Sequence, residues 1–127
     1  MKDERLVQDA YVCEQQLAIV EKYEDVVNYL YPVIRSIDRG HAVARELFLR
    51  ALLEQARLFI EAGKSSQVSK LYAADAGLAW LRFQLRFLAH PARRLITPKN
   101  HKVASEHLAE VGRLLGAWIK KAKEKKG

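Results

Sequence analysis

The sequence predicts an all-α protein, an up-down-up-down four-helix bundle. Three observations predict it. Apolar residues recur at alternating steps of three and four in four separate stretches, and strand-like alternation is absent. The breaks between those stretches are rich in Gly, Pro, Ser, Asp and Asn. Those breaks are also short, which makes consecutive helices antiparallel neighbours. The 127 residues read as one domain, 1–127. Such a chain buries roughly two-thirds of its unfolded surface and needs no disulfide or metal to fold.

The first helix is expected over about 12–36, after a polar, frayed start at 1–11. Val20, Tyr23, Val27, Leu30 and Ile34 mark its inner face, and Glu14, Glu21, Glu24 and Asp25 lie mostly elsewhere. Pro32 removes one intrahelical hydrogen bond and crowds the preceding turn, so a kink or local break is expected there. Residues 36–40 form the connection, with Asp38 as a helix cap. The second helix is expected over about 41–62. Phe48, Leu52, Ala56 and Phe59 make one line, widened by Leu49, Leu53 and Ile60. Gly63 is the expected stop, taking a positive φ, and Ser65 or Ser66 the expected cap of the next helix.

The third helix, about 65–90, organises the rest. Leu71, Ala74, Leu78, Leu81, Leu85 and Leu88 form a heptad seam. A second seam follows Tyr72, Ala76, Ala79, Phe83 and Phe87, extended by Trp80. A helix that is apolar nearly all round is buried in a large core or shared between subunits, and this chain is too short for a large core. The outer seam therefore reads as a subunit interface; the plainer alternative is a central helix with some exposed aromatics. Asp75, Arg82 and Arg86 form a narrow polar strip between the seams, where Asp75 is placed to hold Arg82. Pro91 ends this helix. The fourth helix is expected over about 98–123, with Thr97 as its cap and Pro98 at its first position. Ala104, Leu108, Val111, Leu115, Trp118 and Ala122 form a heptad line, widened by Leu114 and Ile119, and the basic tail 124–127 reads as disordered.

Charge is unevenly placed. Residues 1–63 carry eight Lys and Arg against eleven Asp and Glu, a net −3; residues 64–127 carry fourteen against four, a net +10. That asymmetry points to a polyanion or an acidic partner. A solvated lysine tail accounts for the C-terminal lysines but poorly for Arg82, Arg86, Arg93 and Arg94, which stand beside aromatics. Cys13 is the single cysteine and suits a reducing cytoplasm. The start has no apolar stretch of signal-peptide length, and no run reaches the roughly 18 residues of a membrane span. A cytoplasmic protein is expected.

Enzymatic motifs are weak. Gly63-Lys64-Ser65 resembles the end of a phosphate loop, but the required earlier glycine is replaced by Leu58 and a helix stands where a strand is needed. His41, His90, His101 and His107 have no chelating spacing, so no metal or other cofactor is expected. Arg35 and His41 resemble the arginine–histidine pair of some all-helical RNA-cleaving folds, with no further acid or base placed beside them. No catalytic residue and no small-molecule substrate are expected.

The segments VEKYEDVVNYLYPVIRSI, GHAVARELFLRALL, AGKSSQVSKLYAADAGLAWLRFQLRFLA and AEVGRLLGAWI resemble the accessory variability determinant (Avd) proteins of diversity-generating retroelements. The likeness covers roughly residues 17–120, with the ends and the 90–100 loop divergent. More distantly the chain is similar to four-helix proteins encoded in intervening sequences of bacterial ribosomal RNA genes. The resemblance implies a basic four-helix bundle that assembles into a barrel-like homopentameric ring. It implies a non-enzymatic accessory role: binding the element's reverse transcriptase and template RNA or cDNA in mutagenic retrohoming. Arg82 and Arg86 match the family's LRF-x-LRF element and are the first candidates for partner contact. Lys64, Lys70, Arg93, Arg94, Lys120 and Lys121 follow, and Tyr72, Ala79, Trp80, Phe83 and Phe87 are the candidate oligomer interface. The alternatives are a general RNA-binding bundle of the intervening-sequence type and an RNA-cleaving enzyme using Arg35 and His41.

Overall fold

A computed structural model describes residues 2–65 and 67–126, with side chains described for 18–124 apart from Ser66. The expected cap at Ser66, residue Gly127, and the side chains of Cys13, Glu14, Lys125 and Lys126 lie outside the described residues. Four helices follow one another: α1 (Lys2–Arg35), α2 (Ala42–Lys64), α3 (Val68–Ala89) and α4 (Pro98–Lys126), with a single 3-10 turn at Arg39–His41. No strand occurs among the described residues. Contacts join α1 to α2, α2 to α3, α3 to α4 and α4 back to α1, so the four helices enclose one core.

That core is the set of apolar lines meeting at the centre. The whole first seam of α3, from Leu71 to Leu88, is buried, as are Phe48, Leu52 and Phe59 of α2 and Ala104, Leu108, Val111 and Leu115 of α4. On α1 the buried line is Ile19, Tyr23, Val26, Leu30 and Ile34; Val20 and Val27 are only partly buried. The Tyr23 hydroxyl donates to the Leu52 carbonyl, and its ring meets Phe59 edge-on at 5.4 Å. Burial pushes this phenol above its ordinary value of 10.0. Tyr23→Phe loses the hydrogen bond and is expected to cost about 1 kcal/mol at neutral pH. A phenol with a raised folded pKa makes the wild type lose stability as pH rises through 10.0, where only the unfolded chain ionises. The gap between variant and wild type should therefore narrow above that pH, which urea midpoints at neutral and alkaline pH will show.

Helix ends differ in several places from the sequence reading. Helix α1 begins at Lys2, not near Val12: the charged start holds backbone helix, which needs no apolar residue and meets no breaker there. Pro32 does not break it; the helix runs on to Arg35, and the Ser36 N–H reaches the Pro32 carbonyl at 3.3 Å. Gly63 is not a stop with positive φ. Helix α2 runs one residue past it and the chain leaves in extended conformation at Ser65. Ser65 does not cap α3 directly, because Gln67 holds the cap position and Ser65 Oγ accepts from its N–H at 3.0 Å. Helix α4 continues to Lys126, through a stretch whose composition reads as a disordered tail. Asp38 caps the 3-10 turn and not α2, whose cap position is His41: it accepts from the Arg39 N–H at 2.8 Å, while the Thr97 cap holds, Thr97 Oγ1 accepting from the Asn100 N–H at 3.0 Å. Asn100 returns the bond to the Thr97 N–H and donates to the Tyr29 hydroxyl at 3.1 Å, fixing the start of α4 on α1.

Candidate functional site

Two grooves flank α3. On its α4 side, Arg82, Leu85 and Arg86 face His101 and Ser105 across a cleft of about 220 Å³. Heptad spacing explains the placement. Arg82 and Arg86 are one turn apart on the side of α3 turned toward α4. His101 and Ser105 are one turn apart on the facing side of α4. The two arginines differ in freedom. Arg82 donates through Nη2 to the Leu108 carbonyl at 3.2 Å. Its guanidinium lies over Gly112, where an added Cβ would come within 2.6 Å of that nitrogen. Arg86 has no side-chain partner among the described residues and is exposed. Asp75 does not hold Arg82: two turns, about 10.5 Å of rise, separate them, and Asp75 has no ion pair among the described residues. A pair of guanidiniums with an imidazole and a hydroxyl opposite is an anion-binding arrangement.

On its α2 side, α3 lines an apolar groove of about 500 Å³. Its walls include Val43 and Leu47 from α2 and Trp80, Phe83 and Phe87 from α3. Trp80 and Phe83 stack at 5.8 Å with planes 8° apart. Of the five residues expected at an oligomer interface, Trp80, Phe83 and Phe87 line this groove, while Tyr72 and Ala79 are set further round the helix. Lys123 from α4 stands 5.5 Å from the Tyr72 ring.

The other candidate cations do not converge. Arg93 and Arg94 lie at the same end of the bundle as Arg86, but Arg93 is engaged: it donates to the Phe87 carbonyl at 2.9 Å and covers the Phe87 ring at 3.8 Å. It finishes α3 rather than reaching outward. Arg94 is exposed at φ 49, the left-handed residue that turns the chain so that the Leu95 N–H returns to the Leu88 carbonyl at 2.9 Å. Lys64, Lys70, Lys120 and Lys121 are exposed at the opposite end, with Lys70 about 24 Å from Arg86 by the rise of α3. Arg35 and His41 are both exposed and neither side chain has a partner among the described residues, so the structure does not assemble them into a pair. No cluster of metal-ligating side chains occurs among the described residues. No helix among them is long and apolar enough to cross a membrane.

Sequence reasoning missed four features. Val43 and Leu47 repeat at one turn on α2, a second stripe that periodicity alone could reveal. His101 faces Arg86 only because α4 packs beside α3. Gln55 and Gln84 are buried polar residues on apolar lines, with no signal in periodicity. Gln55 donates to the Ala74 carbonyl at 2.7 Å, whereas Gln84 Oε1 is buried without a donor among the described residues.

No curated protein matches the chain. A family model described as bAvd-like matches residues 17–122, which spans the second half of α1, all of α2 and α3 and most of α4. With the four helices and the arginine strip of α3 in place, the chain belongs to the bAvd-like family, the Avd proteins of diversity-generating retroelements.

Proposed function

We propose that the protein is a non-enzymatic accessory subunit that binds the element's reverse transcriptase and its template RNA or cDNA in the cytoplasm, supporting mutagenic retrohoming. The observation that carries this reading is the convergence of Arg82, Arg86 and His101 on one cleft in the half of the chain with net +10. Phosphate oxygens are the ligand such donors fit, and a sequence-independent grip is what a template holder needs. Exposed aromatics on α3 support assembly into a homo-oligomeric ring, for which a pentamer is proposed from the family resemblance. In a ring each cleft repeats, and weak contacts add through effective concentration. Arg94 and the lysines at the far end add general affinity.

The test is co-purification of tagged protein with the reverse transcriptase, alongside titration of labelled template RNA at several salt concentrations. Joint retention of transcriptase and RNA, with affinity falling steeply in salt, supports the proposal. RNA binding with no transcriptase retention favours a general RNA-binding bundle instead. RNA cleavage that disappears in His41→Ala overturns the non-enzymatic reading.

A further inference from the structure

We propose that Gly112 is a positioning residue for the cleft between α3 and α4: the space left by its missing side chain is a berth that holds the Arg82 guanidinium ready for a phosphodiester of single-stranded nucleic acid. This rests on the nucleic-acid reading above and adds what aims the inner arginine. Helix α4 runs from Pro98 to Lys126, so a glycine at 112 stands in its interior, where alanine is the better helix former. Packing of α4 on α3 does not require it. A Cβ built on Gly112 meets Leu78 Cδ2 at 3.7 Å, an ordinary contact, and nothing of α3 other than Arg82 comes closer. The crowded atom is Arg82 Nη2 at 2.6 Å, with Cζ at 3.6 Å. What glycine makes room for is therefore the guanidinium. Gly116, one turn further along α4, has nothing within 4 Å of the same position.

The berth also opens an acceptor. In a helix the Leu108 carbonyl takes the N–H of residue 112, and a Cβ at 112 tilts back toward that carbonyl. With glycine there, the second lone pair of the carbonyl stays accessible, and Arg82 Nη2 donates to it at 3.2 Å. Arg82 makes no other hydrogen bond or ion pair among the described residues. One nitrogen of the fork is thus tied to α4, and its other N–H donors are left for the cleft that it lines with Arg86, His101 and Ser105. A guanidinium already held in place gives up less freedom when a phosphate arrives. Arg86 has no such tether, so the cleft pairs one fixed cation with one mobile cation.

The experiment is titration of a fluorescently labelled single-stranded RNA at moderate salt, with thermal melting of every variant. Gly112→Ala changes no charge and is expected to weaken binding about fivefold, the effect of leaving one long side chain to be ordered by the ligand. The displaced group is the end of a flexible side chain, and the lost tether is offset by the better helix former, so melting should stay within about 3 °C of wild type. Gly116→Ala is expected to melt about 4 °C higher and to bind as wild type. In an Arg82→Ala background the berth is empty, and Gly112→Ala should then leave affinity unchanged. Wild-type or tighter binding by Gly112→Ala, while Arg86→Glu weakens binding, overturns the positioning role and leaves the cleft standing. An equal loss of affinity in both backgrounds overturns it too, because the methyl then acts without Arg82. Early melting of Gly112→Ala in both backgrounds assigns the glycine to packing and also overturns it. If Arg86→Glu itself binds as wild type, the nucleic-acid reading of the cleft falls, and the role of Gly112 with it.

Discussion

Arg86→Glu lowers affinity for single-stranded template RNA about tenfold at moderate salt, and Arg82→Glu with Arg86→Glu lowers it about a hundredfold. Reversal removes a phosphate partner and puts a carboxylate in its place. On a single strand, the slope of log affinity against log salt should flatten by about 0.7 for each phosphate left without its cation. The two arginines are expected to separate in their effect on folding. Arg86 has no side-chain partner among the described residues, so Arg86→Glu leaves the melting temperature near wild type. Arg82 holds the Leu108 carbonyl, so Arg82→Glu also loosens α3 from α4 and costs about 1 kcal/mol. Lys120→Glu, at the opposite end, serves as the comparison and is expected to weaken binding uniformly but less. Unchanged affinity and unchanged salt slope in the double variant, with helicity intact, would remove this cleft from the RNA path.

The contrast between Arg86 and Arg93 shows how far local pattern reaches. Arg86 lies on a regular helix, and its direction follows from the period alone. Arg93 sits in the 90–97 connection, where its aim depends on the left-handed turn at Arg94 and on the fold-back of Leu95 to Leu88. No period encodes that, so a residue placed among the outward cations is a cap on α3. The same limit explains α1. Ile19 and Val26 are buried in place of Val20 and Val27, because adjacent β-branched residues offer two overlapping stripes and only the neighbours decide between them. Gly63 shows a different limit: a glycine near a helix end permits a left-handed stop without requiring one, and the extended Ser65 does the turning. The Leu and Ala line of α3, by contrast, is legible from Leu71 to Leu88, and only Gln84 joins the buried face without carrying its pattern.

Gly77→Ala should destabilise the protein by about 2 kcal/mol although alanine is the better helix former by about 1 kcal/mol. At this position α3 has no room for a side chain against α2. An added Cβ would overlap Gln55 Oε1 and come within 2.9 Å of Leu58 Cδ1. Gln55 is 1% exposed and holds the Ala74 carbonyl at 2.7 Å, so it cannot swing into water to make room. The methyl must displace a satisfied buried amide, and an amide torn from its partner in an apolar setting costs more than the propensity gained. This identifies the relief. In a Gln55→Ala background the overlapping oxygen is gone, and the freed space takes the new methyl. There Gly77→Ala is expected to be neutral or stabilising, a change of sign read from chemical denaturation of the four proteins of the cycle. If the cost of Gly77→Ala is the same in both backgrounds, Leu58 or the backbone sets the limit instead. The spacing of α2 and α3 would then not rest on the Gln55 amide. Because that spacing also sets the width of the apolar groove lined by Trp80 and Leu47, Gly77→Ala should weaken assembly as well, and Gln55→Ala should restore it.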